Sequence, residues 1–122
     1  MLIREADARR TETPGGIMTT LASPTQGAAG LSIWRVEGKA GIAGPVHTIS
    51  ADQVWTFLEG AVSVRLGEED LAAVAGDTVV MPAGAVRQVT AGEDGFVAIC
   101  TAPAEARAAV DGKDFGIPAW IA

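Results

Sequence analysis

Turn-forming residues recur along this chain at intervals too short for long helices to fit between them. Pro14-Gly15-Gly16, Ser23 to Gly27, Gly38 to Gly44, Glu59-Gly60, Gly76-Asp77, Pro82 to Ala85 and Gly92 to Gly95 cut it into short apolar and β-branched pieces. Turn signals roughly every eight to twelve residues are the rhythm of an all-β sandwich or barrel. The pieces read as about eight to ten short strands. Leu2 and Ile3 start an edge strand, and Ile17 to Leu21 follows. Leu31 to Glu37 alternates cleanly, with Leu31, Ile33, Arg35 and Glu37 on one side and Ser32, Trp34 and Val36 on the other. Next come Pro45 to Ile49, Gln53 to Leu58, Ala61 to Leu66, Leu71 to Val74, Thr78 to Met81, Val86 to Thr90 and Phe96 to Thr101. No amphipathic helix is expected before residue 103. In the tail, residues 103–122, Ala104 to Val110 reads as a helical turn or two or as an edge strand. Phe115 to Ala122 is apolar enough to dock on the barrel or on a second subunit.

At 122 residues the chain is expected to be one domain, residues 1–122. Its 48% apolar and 20% charged residues fit a folded globule. Cys100 is the single cysteine, so no internal disulfide is available and packing must carry the fold. A formal charge of −6 and a pI near 4.6 argue against nucleic acid and anionic membranes as partners. No apolar run approaches the roughly 18 residues of a membrane span, and the opening MLIREADARR is too charged for a secretory signal. The expectation is a soluble, cytoplasmic chain with a small-molecule ligand.

Chemistry concentrates between Gly41 and Gly60, which holds the only histidine, His47. Gln53 to Leu58 is a strand-length run that stops at Glu59-Gly60, a natural turn. Strand alternation puts Gln53, Trp55 and Phe57 on one face and Val54, Thr56 and Leu58 on the other, and both faces are expected to be buried. The amide thus shares a face with two aromatics, as in a pocket wall. Asp52 has the opposite parity and belongs at the rim. Glu68 to Asp70 reads as a solvated hairpin tip, and Trp34 and Trp120 as packing, within the barrel or across a subunit interface.

These spacings resemble the cupins. The first cupin motif runs Gly, five residues, His-x-His, three or four residues, Glu, six residues, Gly; Gly41, His47, Gln53 and Gly60 fall in that register over residues 41–60. The second runs Gly, five residues, Pro-x-Gly, two residues, His, three residues, Asn; Gly76, Pro82 and Gly84 match it over residues 76–91, and the 15 residues between motifs resemble the spacer of compact microbial members. The resemblance implies a single-domain double-stranded β-helix, a jelly-roll-like barrel. It also implies that pairing as a homodimer through outer or edge strands is common at this size.

In metal-binding cupins, four residues of these motifs ligate a divalent ion. Here the corresponding positions are His47, Ile49, Gln53 and Arg87, and the second motif's Asn position is Ala91. That set offers one good ligand, one weak neutral oxygen, a hydrocarbon and a permanent cation without a lone pair. No metal or other cofactor is therefore expected, and any ion would have to rest on His47 and Gln53.

The register instead implies a pocket with His47, Gln53 and Arg87 as catalytic candidates and Ile49, Trp55, Phe57 and Cys100 as ligand-lining candidates. Cys100 itself reads as a small buried hydrophobe. Arg87 would fork onto a carboxylate, phenolate or enolate, and His47 would move a proton. Three functions follow: a metal-independent isomerase, cyclase or lyase acting on a small anionic or phenolic or carbonyl substrate; a non-catalytic ligand-binding or sensing module; or a metal-dependent dioxygenase-like or isomerase cupin.

Overall fold

The computed structural model describes residues 1–28 and 30–122. Ten strands account for most of it: β1 (Arg9–Thr13), β2 (Gly16–Ala22), β3 (Leu31–Gly38), β4 (Thr48–Ile49), β5 (Gln53–Leu66), β6 (Glu69–Val74), β7 (Thr78–Met81), β8 (Arg87–Pro103), β9 (Ala108–Val110) and β10 (Lys113–Gly116). The helical pieces are single 3-10 turns at Glu5–Asp7 and Pro24–Gln26. Seven strands form one antiparallel sheet in the order β1-β2-β3-β8-β5-β6, with β7 pairing beside β5, and β10-β9-β4 form a second sheet. All the pairings are antiparallel. The architecture is an all-β jelly roll.

Two long bent strands give the barrel its shape. The pieces Gln53 to Leu58 and Ala61 to Leu66, expected as separate strands, are one strand of 14 residues, and Val86 to Thr90 and Phe96 to Thr101 merge into one of 17. Glu59-Gly60 is therefore a corner and not a chain reversal. Register slips between Phe57 and Glu59 and between Gly60 and Val62 mark the bulges that make it. Across this corner the inward set changes parity, from Gln53, Trp55 and Phe57 to Val62, Val64 and Leu66. β8 does the same, from Arg87, Val89 and Ala91 to Phe96, Ala98, Cys100 and Ala102. Gly60 sits at φ +78°, and a Cβ there would run into the carbonyl of Gly95 on the neighbouring strand. Only glycine satisfies both the left-handed backbone and the close approach.

Inside, Trp34, Val36, Phe57, Val64, Met81 and Ala98 are almost fully buried. Phe57 meets Phe96 edge to face at 5.6 Å between centroids, and Trp55 lies 6.2 Å from Phe57, the offset geometry that aromatic quadrupoles favour. The other face of the central strand differs from expectation: Val54 and Thr56 are only half-buried and Leu58 is 50% exposed. It is the outside of the barrel.

Both ends of the chain differ from the sequence reading. Leu2 is 72% exposed and the first strand starts at Arg9, because a two-residue apolar opening followed by charges has too little to pair and bury. The tail takes neither a helical turn nor a lone edge strand at Ala104 to Val110. It forms the hairpin β9-β10, and β9 pairs with the two-residue β4, all that remains of the strand expected over Pro45 to Ile49. The last residues return to the barrel: the Thr20 hydroxyl donates to the Trp120 carbonyl at 2.9 Å, the Ser32 hydroxyl donates to the Ile121 carbonyl, and Ile121 is fully buried.

Candidate functional site

A cavity of about 200 Å³ opens between the inner faces of β2, β3, β5 and β8, the 42–47 loop and the tail. The loop is laid along the first half of β8 by backbone bonds: Gly44 N–H donates to the Val89 carbonyl at 2.8 Å, and His47 and Arg87 exchange N–H to carbonyl bonds at 3.0 and 2.9 Å. That bridge sets His47 at the cavity wall. Gln53 and Trp55 reach the wall because they are inward on β5, and Ile49 because it is the inward residue of β4.

Hydrogen-bond partners fix the state of both polar groups. His47 Nδ1 lies 2.9 Å from the Pro45 carbonyl, which can only accept, so Nδ1 carries the proton and Nε2 keeps its lone pair. Burial pulls the His47 pKa below its usual 6.5, and the charge of Arg87 adds to this, while the bond to Pro45 opposes it. At neutral pH the imidazole is a free base. Gln53, 3% exposed, receives the Trp55 Nε1–H at 3.3 Å and an Arg87 N–H at 3.4 Å on its Oε1.

The seven candidates of the sequence reading are therefore not one cluster. His47, Gln53, Ile49 and Trp55 line the cavity. Arg87 does not. It is 1% exposed, and its guanidinium donates to the Pro82 carbonyl at 2.8 Å and the Ala85 carbonyl at 3.1 Å besides Gln53. It staples the 82–85 turn to the central strand, and Asp52 braces the same turn by accepting the Ala83 N–H at 2.8 Å. Burial pulls the guanidinium's pKa down, with the Asp52 charge opposing, and it stays a cation. Phe57 is packed behind Trp55 and Phe96, away from the cavity. Cys100 also stands back from it: cross-strand neighbour of both Trp34 and Trp55, it is too short to reach past their rings. Its burial drives the thiol pKa well up, so it stays protonated.

Trp34 and Trp120, read from the sequence as packing, belong to the cavity wall, and Met18, Val89, Phe96 and Pro118, which the sequence did not single out, stand beside them. The alternation of β3 had already put Trp34 on one face, but no signal said that this face was the cavity's. Among the described residues, no Asp, Glu, Lys or Arg side chain lines the cavity, and the polar side chains that do, besides the indoles of the three tryptophans, are Thr13, His47 and Gln53.

No protein-family model matches the sequence, and no curated protein matches it. Solved structures do match in fold. The polyketide cyclase RemF from Streptomyces resistomycificus superposes with a TM-score of 0.74 at 18% identity, covering 87% of this chain and 80% of that one. An RmlC-like cupin from Shewanella frigidimarina gives 0.71 at 20% identity, over 83% of this chain and 87% of that one. The fold is that of the cupins. KdgF from a Halomonas species gives 0.72 at 21% identity, over 84% and 94%.

A metal cupin would place its ion among His47, Ile49, Gln53 and Arg87, and these side chains do not fit one. Ile49 offers only hydrocarbon, Arg87 brings a positive charge with no lone pair, and Gln53 Oε1 is already taken by two donors. Among the described residues, no group of three His, Cys, Asp or Glu side chains is placed to hold an ion. The donor set is short of the three protein ligands that catalytic sites use. None of the described helices is long and apolar enough to cross a membrane.

Proposed function

We propose that this cupin binds a small, uncharged, mostly apolar molecule carrying a carbonyl group and, with His47 as base and without a metal, moves a proton on it. The reaction type is that of an isomerase, cyclase or lyase. The observation that carries this reading is a neutral imidazole, its Nδ1–H pinned on Pro45, set in the wall of an otherwise apolar cavity. With Arg87 withdrawn from the cavity, no cation is there to neutralise a buried carboxylate, whose desolvation would cost several kcal/mol. A neutral substrate therefore fits better than an anionic one.

In the step proposed, His47 Nε2 takes a proton from the carbon next to the carbonyl. The electrons of that C–H bond pass to the carbonyl oxygen, and the imidazolium returns the proton at another atom, so that an isomerisation balances with no co-reactant. That RemF, with the same fold, is described as a polyketide cyclase supports carbonyl chemistry of this kind.

The reading is tested without knowing the natural substrate by following hydrogen–deuterium exchange at the α-carbons of 2-tetralone, a neutral bicyclic ketone, by proton NMR. The wild-type protein should speed exchange above buffer, and His47→Ala should abolish the increase while keeping its melting temperature within a few degrees. Binding of 2-tetralone without any acceleration would sink the catalytic reading in favour of a binding module.

A further inference from the structure

On the reading that the cavity takes a neutral carbonyl compound, we infer that Gln53 selects that compound, as a hydrogen-bond donor locked into the role by Trp55 and Arg87. The amide could in principle face either way, but both neighbours on its inner side are donors only: an indole N–H at 3.3 Å and a guanidinium N–H at 3.4 Å. A flipped amide would set its own N–H groups against them, so the oxygen faces Trp55 and Arg87. Arg87 does not swing away to release it, because its Nε and Nη2 are held by the Ala85 and Pro82 carbonyls.

The two N–H groups of Gln53 are left with no protein partner among the described residues, on the wall of a cavity that is otherwise mostly hydrocarbon and aromatic ring. Solvent in the cavity reaches these N–H groups, and a ligand acceptor that takes its place contributes a net hydrogen bond of about 0.5–1.5 kcal/mol. A cation on the amide oxygen also polarises the amide and strengthens its N–H donors. The Gln53 N–H edge and the His47 Nε2 lone pair then form a complementary pair of contacts, one for a carbonyl oxygen and one for the proton lost from its neighbouring carbon. The donor function is what distinguishes this glutamine from the glutamate of the first cupin motif, which can only accept.

The test compares 2-tetralone with tetralin, its hydrocarbon counterpart, using tryptophan fluorescence, since Trp34, Trp55 and Trp120 all line the cavity. The wild-type protein should bind the ketone about tenfold more tightly than the hydrocarbon, the equivalent of about 1.4 kcal/mol. In Gln53→Glu the carboxylate keeps both bonds to Trp55 and Arg87 and stays ionised beside the guanidinium, but it has no N–H to offer. The preference should then fall to about one while tetralin still binds, and the red shift of the bound ketone's infrared C=O stretch should vanish. A merely structural glutamine would leave preference and stretch unchanged in Gln53→Glu, and that result overturns the inference. If Gln53→Glu does not fold, Gln53→Met removes the same donors without a charge and must show the same loss. If the wild-type protein binds neither probe, the cavity reading itself fails and this inference falls with it.

Discussion

Replacing Arg87 by methionine separates a structural guanidinium from a ligand-binding one. Methionine is close in length and apolar, so it fills the core position while removing every donor. Two bonds to backbone carbonyls are lost, at 2.8 Å to Pro82 and 3.1 Å to Ala85, and Arg87 is 1% exposed, so water does not replace them readily. Charge-assisted bonds contribute about 1.5–3 kcal/mol each. The third, at 3.4 Å to Gln53, is long, and its acceptor keeps Trp55. Against this, the desolvation cost of a buried cation disappears. The balance is a loss of about 3 kcal/mol, which for a chain of this size lowers the melting temperature by roughly 10–15 °C. Circular dichroism melting of Arg87→Met beside the wild type measures it directly. A drop of only one or two degrees together with lost ligand binding would refute the reasoning, because the guanidinium would then be serving the cavity and not the 82–85 turn.

The His47 pKa is lowered in the folded state, so the unfolded chain binds more protons as the pH falls below about 6.5. Stability should decline over that range and level off below the native pKa, and the decline should be absent in His47→Gln when melting is followed as the pH is lowered from neutral. Ketone exchange by the wild type should likewise fall at acid pH with a midpoint below 6.5, and a midpoint above it would contradict a desolvated imidazole. On the outside of the barrel, Ile33, Thr101, Val54 and Val80 lie in one cross-strand row over β3, β8, β5 and β7, with Val80 57% exposed. A second copy of the chain is the partner expected to cover this face, so sedimentation should show a dimer that Val80→Lys weakens; a monomeric wild type would count against it.

The period-two pattern made the inward set of the central strand legible. Gln53, Trp55 and Phe57 do share a face, and the spacing around His47 and Gly84 carried the cupin fold. What stayed hidden depended on contacts distant in sequence. Glu59-Gly60 looks the same in one dimension whether the chain reverses or bends within a strand, and only the neighbouring Gly95 carbonyl distinguishes the two. Arg87 falls at a motif position, but the acceptors that claim its guanidinium are main-chain carbonyls, which every residue has and no motif reports. Trp120 reaches the cavity because Thr20 and Ser32 hold the carbonyls of the chain's last turn, an arrangement without any local periodicity. The same hydroxyls, in alternating strands, read as ordinary polar residues.

The chain has one histidine, so ring-labelled protein without a histidine tag gives a single set of imidazole nitrogen signals. Their titration by NMR tests the central claim most directly. The account predicts the Nδ1–H tautomer at neutral pH, a pKa below 6.5, a shift of the Nε2 signal when 2-tetralone is added, and no change with zinc or with chelator. An Nε2–H tautomer, a pKa above 6.5 or a stoichiometric response to zinc would contradict it.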